Sequence, residues 1–328
     1  MVGPGLLFAI NTDAHSYSDT KEFSMREATS TEWPSLEAIP GHRTLLLTAW
    51  VIVLLLTVPE IILRAFVKMD TSWMLPARIG LLGILLAMTF AWPLIRPLRR
   101  LLLVFLVIYG VESWFFGLLI QQSQLFTSIF GSDPNRGFFG ERLMRVGASL
   151  VMLLVLLGMG LKRQDFFLTI GNLKATAEPE RWGVPRKPEK WPGFSGRYAL
   201  IIVTLFLLFM VPALHPSLSN LTAGLVLFAA LCALMNAFAE EFLYRSALLP
   251  QVLPLFGKGA SLILVAAWFG LGHYFGLPHG ITGVIFTTIG GWIFAKAMVE
   301  TRGMGWSLFL HFVSDFTVYV IIFLAGGF

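Results

Sequence analysis

The chain has 328 residues, of which 56% are hydrophobic and only 13% charged, and it carries 29 Phe and 10 Trp. At a mean hydropathy of +0.75 it is too apolar to fold mainly against water, which excludes an ordinary soluble domain. The formal net charge of +5 needs no nucleic acid to explain it, because contact with anionic lipid suffices, and the single cysteine, Cys232, excludes an intramolecular disulfide and a Cys-based zinc site.

Residues 1–43 read as a polar, soluble tail. No basic residue precedes its short apolar stretch "GPGLLFAI", and polar residues follow it, so a cleaved secretory signal is not expected. A bilayer core needs about 20 predominantly apolar residues per helical crossing. Nine runs qualify, at roughly 44–64, 76–95, 101–120, 145–161, 198–214, 220–247, 259–276, 281–299 and 305–327. They are continuously apolar and do not alternate with period two, which indicates helices and not a barrel. The expected fold is an all-α, polytopic transmembrane bundle of eight or nine helices, the run at 145–161 being short.

Residues 162–197 are polar, rich in Pro and Gly, and carry eight basic residues. They form a basic loop between accessory transmembrane helices in 44–161 and a second half at 198–328. Trp182 and Trp191, beside Arg181 and Lys190, are expected at the headgroup level. With all nine runs crossing, the side bearing the tail and this loop collects 17 Lys and Arg against six opposite, with Arg136, Arg142 and Arg145 counted among the six. The N-terminus is therefore expected in the cytoplasm, across a plasma (inner) membrane if the source is prokaryotic.

Chemistry-bearing residues concentrate after residue 198, in three groups with a four-residue spacing, about one helical turn: Glu240-Glu241 with Arg245, Phe269 with His273, and His311 with Asp315. Ionisable groups inside spans are costly and mark function by default. On a helix Glu241 and Arg245 share a face in the favourable order for an ion pair. Glu240 is rotated by about 100° from Glu241 and shares its face with Asn236 and Tyr244. Poorly solvated and beside a second acid, Glu240 is suited to accept and release a proton. A hairpin about Gly257-Lys258 puts Glu240 and His273 at similar depth, whereas His311 on ideal helices sits about 12 Å shallower.

"EEFLYR", "FGLGH" and "HFVSD", in that order in consecutive parts of a polytopic chain, resemble the three motifs of the type II CAAX prenyl endopeptidase family, also called CPBP. The resemblance covers about 198–328. It implies a helical intramembrane peptidase with a buried chamber open to the cytoplasm. Carried over residue by residue, Glu240 is the base that activates water, assisted by His273. His311 and Asp315 hold the oxyanion, while Glu241 and Arg245 organise the site; Asn236 and Phe269, on the same helix faces, are assigned to that organising group.

One position departs from the best-known family pattern, in which members that cleave prenylated CAAX proteins have Asn where this chain has Asp315, although Asp is found in other branches. An ionised Asp cannot donate to an oxyanion, so Asp315 is expected to orient His311 and leave the imidazole as donor. No cofactor or metal is expected, since H-E-x-x-H is absent and the two histidines come from separate helices. The expected partners are a membrane protein or peptide substrate, such as a CAAX protein, a C-terminal sorting tail or a bacteriocin precursor, and the bilayer itself. A proton-coupled transporter or a scaffold for partner helices is the alternative from another class. Glu112, in "IYGVESWFF", finds no role in this reading.

Overall fold

The computed structural model describes residues 42–131, 133–180 and 184–326. The expected tail lies outside the described residues except for its last two positions. Ten α-helices occur among the described residues: α1 (His42–Glu60), α2 (Met74–Ala91), α3 (Arg99–Val107), α4 (Gln124–Phe130), α5 (Pro134–Gly158), α6 (Trp191–Leu214), α7 (Ala223–Glu241), α8 (Leu249–Gly272), α9 (Gly280–Thr301) and α10 (Gly305–Leu324). Three of them continue in π-helical geometry: α1 through Ile61–Val67, α3 through Ile108–Ile120 and α7 through Phe242–Ser246. The protein is an all-helical integral membrane protein.

Among the described residues, eight helical segments are long and apolar enough to cross a membrane. The expected run at 145–161 is instead the second half of the 25-residue α5, whose length of about 37 Å suffices to cross but whose first half bears Arg136, Glu141, Arg142 and Arg145. Charge, not length, separates it from the others. Its start is set by the Asp133 side chain, which accepts from Arg136 N at 3.0 Å, with Pro134 in the first turn. Thr222 caps α7 in the same way, accepting from Leu225 N at 3.1 Å.

Lipid is as apolar as Leu, so packing and polar contacts hold such helices together. Ala229, Cys232, Ala233 and Ala237 are fully buried on α7 and let α10 approach closely. Beside them Phe138 of α5 meets the Tyr319 ring edge-on at 4.9 Å and Phe323 at 5.8 Å, pairs worth about 0.5–1.5 kcal/mol each beyond their burial. The outer surface presents Phe90, Leu154, Leu200, Leu227 and Ile281, the reverse of a soluble protein.

The loop between α5 and α6 is shorter than expected, because α6 begins at Trp191. One side of it is docked on the helices while many of its residues stay exposed. Asn172 N donates to Thr301 O (2.7 Å), Met304 N to Thr169 O (2.9 Å) and Gly305 N to Ile170 O (3.1 Å), closing it on the α9–α10 turn. A short antiparallel pair, β1 (Thr176–Ala177) with β2 (Glu189–Lys190), follows. Lys296 is fully buried and bonds Glu180 (3.0 Å), Glu178 O (2.7 Å) and Glu300. Lys258 reaches Glu180 (2.9 Å) and Glu300 (2.6 Å). Burial raises the Glu180 carboxyl, but the two lysines outweigh it and hold Glu180 below its usual range. Trp191, expected at the headgroups, is fully buried and donates from Nε1 to Glu300 at 3.1 Å; Arg181 and Trp182 lie outside the described residues.

Candidate active site

The chain from Asn236 to Ser246 is buried except for two half-buried positions. The α-helical part of α7 ends at Glu241, and the π-helical turn that follows carries Tyr244 and Arg245; such turns recur at functional sites. Arg245 Nη1 donates to Glu241 Oε1, both side chains being fully buried. Arg245 Nε donates to Gly291 O at 3.3 Å, and the guanidinium lies 4.2 Å over Phe269 and 5.2 Å over Phe294. A Cβ at Gly291 would stand 3.0 Å from the Phe269 ring and 3.2 Å from Arg245 Nη2, so a glycine lets α9 close over the pair.

Glu241 does more than hold Arg245. Its Oε2 accepts from Ser307 Oγ, and its Oε1 lies 2.7 Å from His311 Nδ1. A carboxylate only accepts, so Nδ1 carries the proton. Here the structure corrects the sequence reading: Glu241, not Asp315, orients the His311 ring. Asp315 Oδ2 lies 3.6 Å from the other nitrogen, Nε2, and accepts from Asn236 Nδ2 at 2.9 Å.

Glu240 presents its two oxygens to different partners. Oε1 accepts from Arg145 Nη1, while Oε2 lies 3.5 Å from His311 Nε2 and 4.0 Å from His273 Nε2. His273 Nδ1 is 2.9 Å from Phe269 O, one turn back, and a carbonyl can only accept. Its Nε2 therefore has a free lone pair directed at the Glu240 side. The 12 Å depth mismatch for His311, estimated above from ideal helix rise, does not arise. Between Glu240 and Gly257 the chain is not one straight rod: it passes through the π-turn and then breaks at Gly257 (φ 68°, ψ 176°). The stretch from Leu249 to Leu253 is buried within the protein, not extended into solvent.

All eight residues singled out in the sequence thus converge: Asn236, Glu240 and Glu241 from α7, Arg245 from its π-turn, Phe269 and His273 from α8, His311 and Asp315 from α10. Phe269 fills the centre, its ring 4.3 Å from that of His273 and 6.3 Å from that of His311. Four further residues complete the cluster. Ser307 stands one turn before His311, a small polar residue in an apolar run. Tyr244 Oη donates to Glu112 Oε1 at 3.1 Å, which accounts for the otherwise unexplained acid. Arg145, counted with the residues of the opposite side, reaches Glu240, donates from Nη1 to Asn236 Oδ1 at 3.3 Å and has Nε 3.8 Å from Glu112 Oε1. Its signal was present, an arginine opening an apolar run, but its partner lies 95 residues away.

Residues 222–317 match a family model described as Type II CAAX prenyl endopeptidase Rce1-like. The Rce1-like segment starts at the cap of α7 and ends just after Asp315, so it contains the eight converging residues and Ser307 but neither Arg145 nor Glu112. No curated protein and no solved structure matches the chain. The Rce1-like match supports a peptidase of the CAAX type that works within the membrane on membrane-associated peptides. Among the described residues no group of three or more His, Cys, Asp or Glu side chains is arranged to hold a metal ion.

Proposed function

We propose that the protein is an intramembrane glutamic endopeptidase in which Glu240, His273, His311 and Asp315 carry the reaction. The observation that supports this most is the position of Glu240 Oε2, 3.5 Å from His311 Nε2 and 4.0 Å from His273 Nε2. Separations of this size are bridged by one water. Such a water gives one proton to Glu240 and points a second at the His273 lone pair, leaving its own lone pair for the peptide carbonyl carbon. The C–O bond forms, the carbonyl π pair moves onto oxygen, and His311 Nε2 donates to that oxyanion. Because Nδ1 already donates to Glu241, His311 donates from Nε2 only as an imidazolium, with Glu241, Glu240 and Asp315 as counter-charges. Protonated Glu240 then delivers its proton to the amine as the C–N bond breaks. No covalent acyl-enzyme forms.

Glu241, Arg245, Asn236 and Phe269 organise these groups. The catalytic core is 198–328, the helices of 44–161 are accessory to it, and the basic loop of 162–197 faces the cytoplasm with the N-terminus. The positive-inside rule supports this orientation, since the sequence of that loop carries eight Lys and Arg. Substrates are drawn from CAAX-type proteins, C-terminal sorting tails and bacteriocin or signal peptides. Peptide mass spectrometry on membranes carrying wild type or Glu240→Gln tests the reading: products that vanish with Gln support it. Equal product from both would refute the catalytic assignment.

A further inference from the structure

The Rce1-like segment leaves Glu240 with one oxygen facing the histidines and the other facing away from them. That second oxygen is held by Arg145, from α5, outside the matched residues. Arg145 in turn is braced from two directions. Asn236 Oδ1 accepts from the same Nη1 at 3.3 Å, and Glu112 Oε1 lies 3.8 Å from Nε. Glu112 is itself fixed, accepting from Tyr244 Oη and Ser113 Oγ at 3.1 Å each. The chain of contacts runs from α3 through Arg145 to α7 and returns through Tyr244.

A carboxylate on a flexible side chain loses its aim unless one oxygen is pinned. A guanidinium does this better than an ammonium, since its planar fork serves several acceptors at once. We propose that Arg145, braced by Glu112, is the positioning residue of the active site: it anchors Glu240 Oε1 so that Oε2 faces the space between His273 and His311. The inference rests on Glu240 being the base, and it gives the first helices of the chain a part in the chemistry. A cavity of about 190 Å³ lined by Glu112, Ser113, Gln121, Glu141 and Arg145 adjoins the guanidinium, so a small cation can reach the same place from outside.

The test uses the full chain in membranes with a cleaved membrane peptide. Arg145→Ala should lower kcat by about 100-fold, the scale for an ångström of misplacement, with KM little changed. Arg145→Lys should fall between the two, keeping the charge but not the fork. Added guanidinium should restore part of the lost kcat in Arg145→Ala and none in Glu240→Gln. Labelling of Glu240 by dicyclohexylcarbodiimide, read by mass spectrometry, should rise in Arg145→Ala because the carboxyl is no longer paired. This last readout does not depend on peptidase activity. Increased labelling in a protein that cleaves nothing refutes the peptidase reading and leaves the anchor standing. An unchanged kcat with unchanged labelling overturns the anchor, and so does a rise in KM alone, which would make Arg145 a binder of the substrate carboxylate.

Discussion

Replacing Glu241 by Gln separates the two neighbouring acids more sharply than any change at Glu240. The substitution preserves shape but removes the charge that faces Arg245, and both of those side chains are 0% exposed. The contacts of Arg245 with Gly291 O, Phe269 and Phe294 exist before and after, so they do not offset the loss. Removing one partner of a fully buried pair costs about 3–5 kcal/mol because the remaining charge has no water to turn to. At Glu240 the orphaned partner is Arg145, whose side chain is 32% exposed. There Arg145 keeps Asn236 Oδ1 and the nearby Glu112 carboxylate as partners, so the cost falls below the roughly 3–5 kcal/mol of a pair left with no counter-charge. Against a total stability of about 5–15 kcal/mol, Glu241→Gln should unfold in detergent at a clearly lower temperature than Glu240→Gln, with both followed by intrinsic fluorescence. Replacing the pair together, as Glu241→Leu with Arg245→Met, should recover part of the loss. Equal melting of the two single Gln variants would refute the reasoning, since it would mean that the Glu241–Arg245 pair is not desolvated.

His311→Ala should lower turnover by about 100- to 1,000-fold, the penalty for one oxyanion donor, and a loss below tenfold in single-turnover assays would remove it from that role. Asp315→Asn should be milder, because Glu241 and not Asp315 holds the ring; a loss as deep as that of His311→Ala would reverse this ranking. Peptidase activity should be indifferent to EDTA and phenanthroline, and stoichiometric zinc with chelator-sensitive turnover would contradict the water-activating role of Glu240. Gly303→Ala should loosen the α5–α6 loop, since the new Cβ would stand 2.3 Å from Gly171 N; about 1–3 kcal/mol of overpacking strain should appear as faster proteolysis within 159–190, and unchanged cleavage kinetics there would show the docking to be soft.

What the residues determine alone is what depends on near neighbours. A run such as Ala223–Ser246 declares itself a span because the bilayer accepts any helix of sufficient length and apolarity, whatever it packs against. The Glu241–Arg245 pair is legible for the same reason, since helical pitch puts residues four apart on one face. The same rule misled at His311. Its neighbour one turn on, Asp315, looked like the group that orients it, yet Glu241, 70 positions earlier in the chain, makes that contact. Spacing tells which side chains share a face but not how the face is turned in the bundle. Arg145 and Glu112 show the limit more plainly: nothing within a turn of either marks a link to Glu240 or to Tyr244, which lie 95 and 132 positions away respectively. Those contacts are decided by the rotation and crossing of α3, α5 and α7, set by aromatic packing such as Phe138 on Tyr319 and by the small residues of α7. Helix formation is a local equilibrium, whereas the meeting of one buried charge with another is selected by the whole bundle, because a charge left without its partner is too costly in a medium without water.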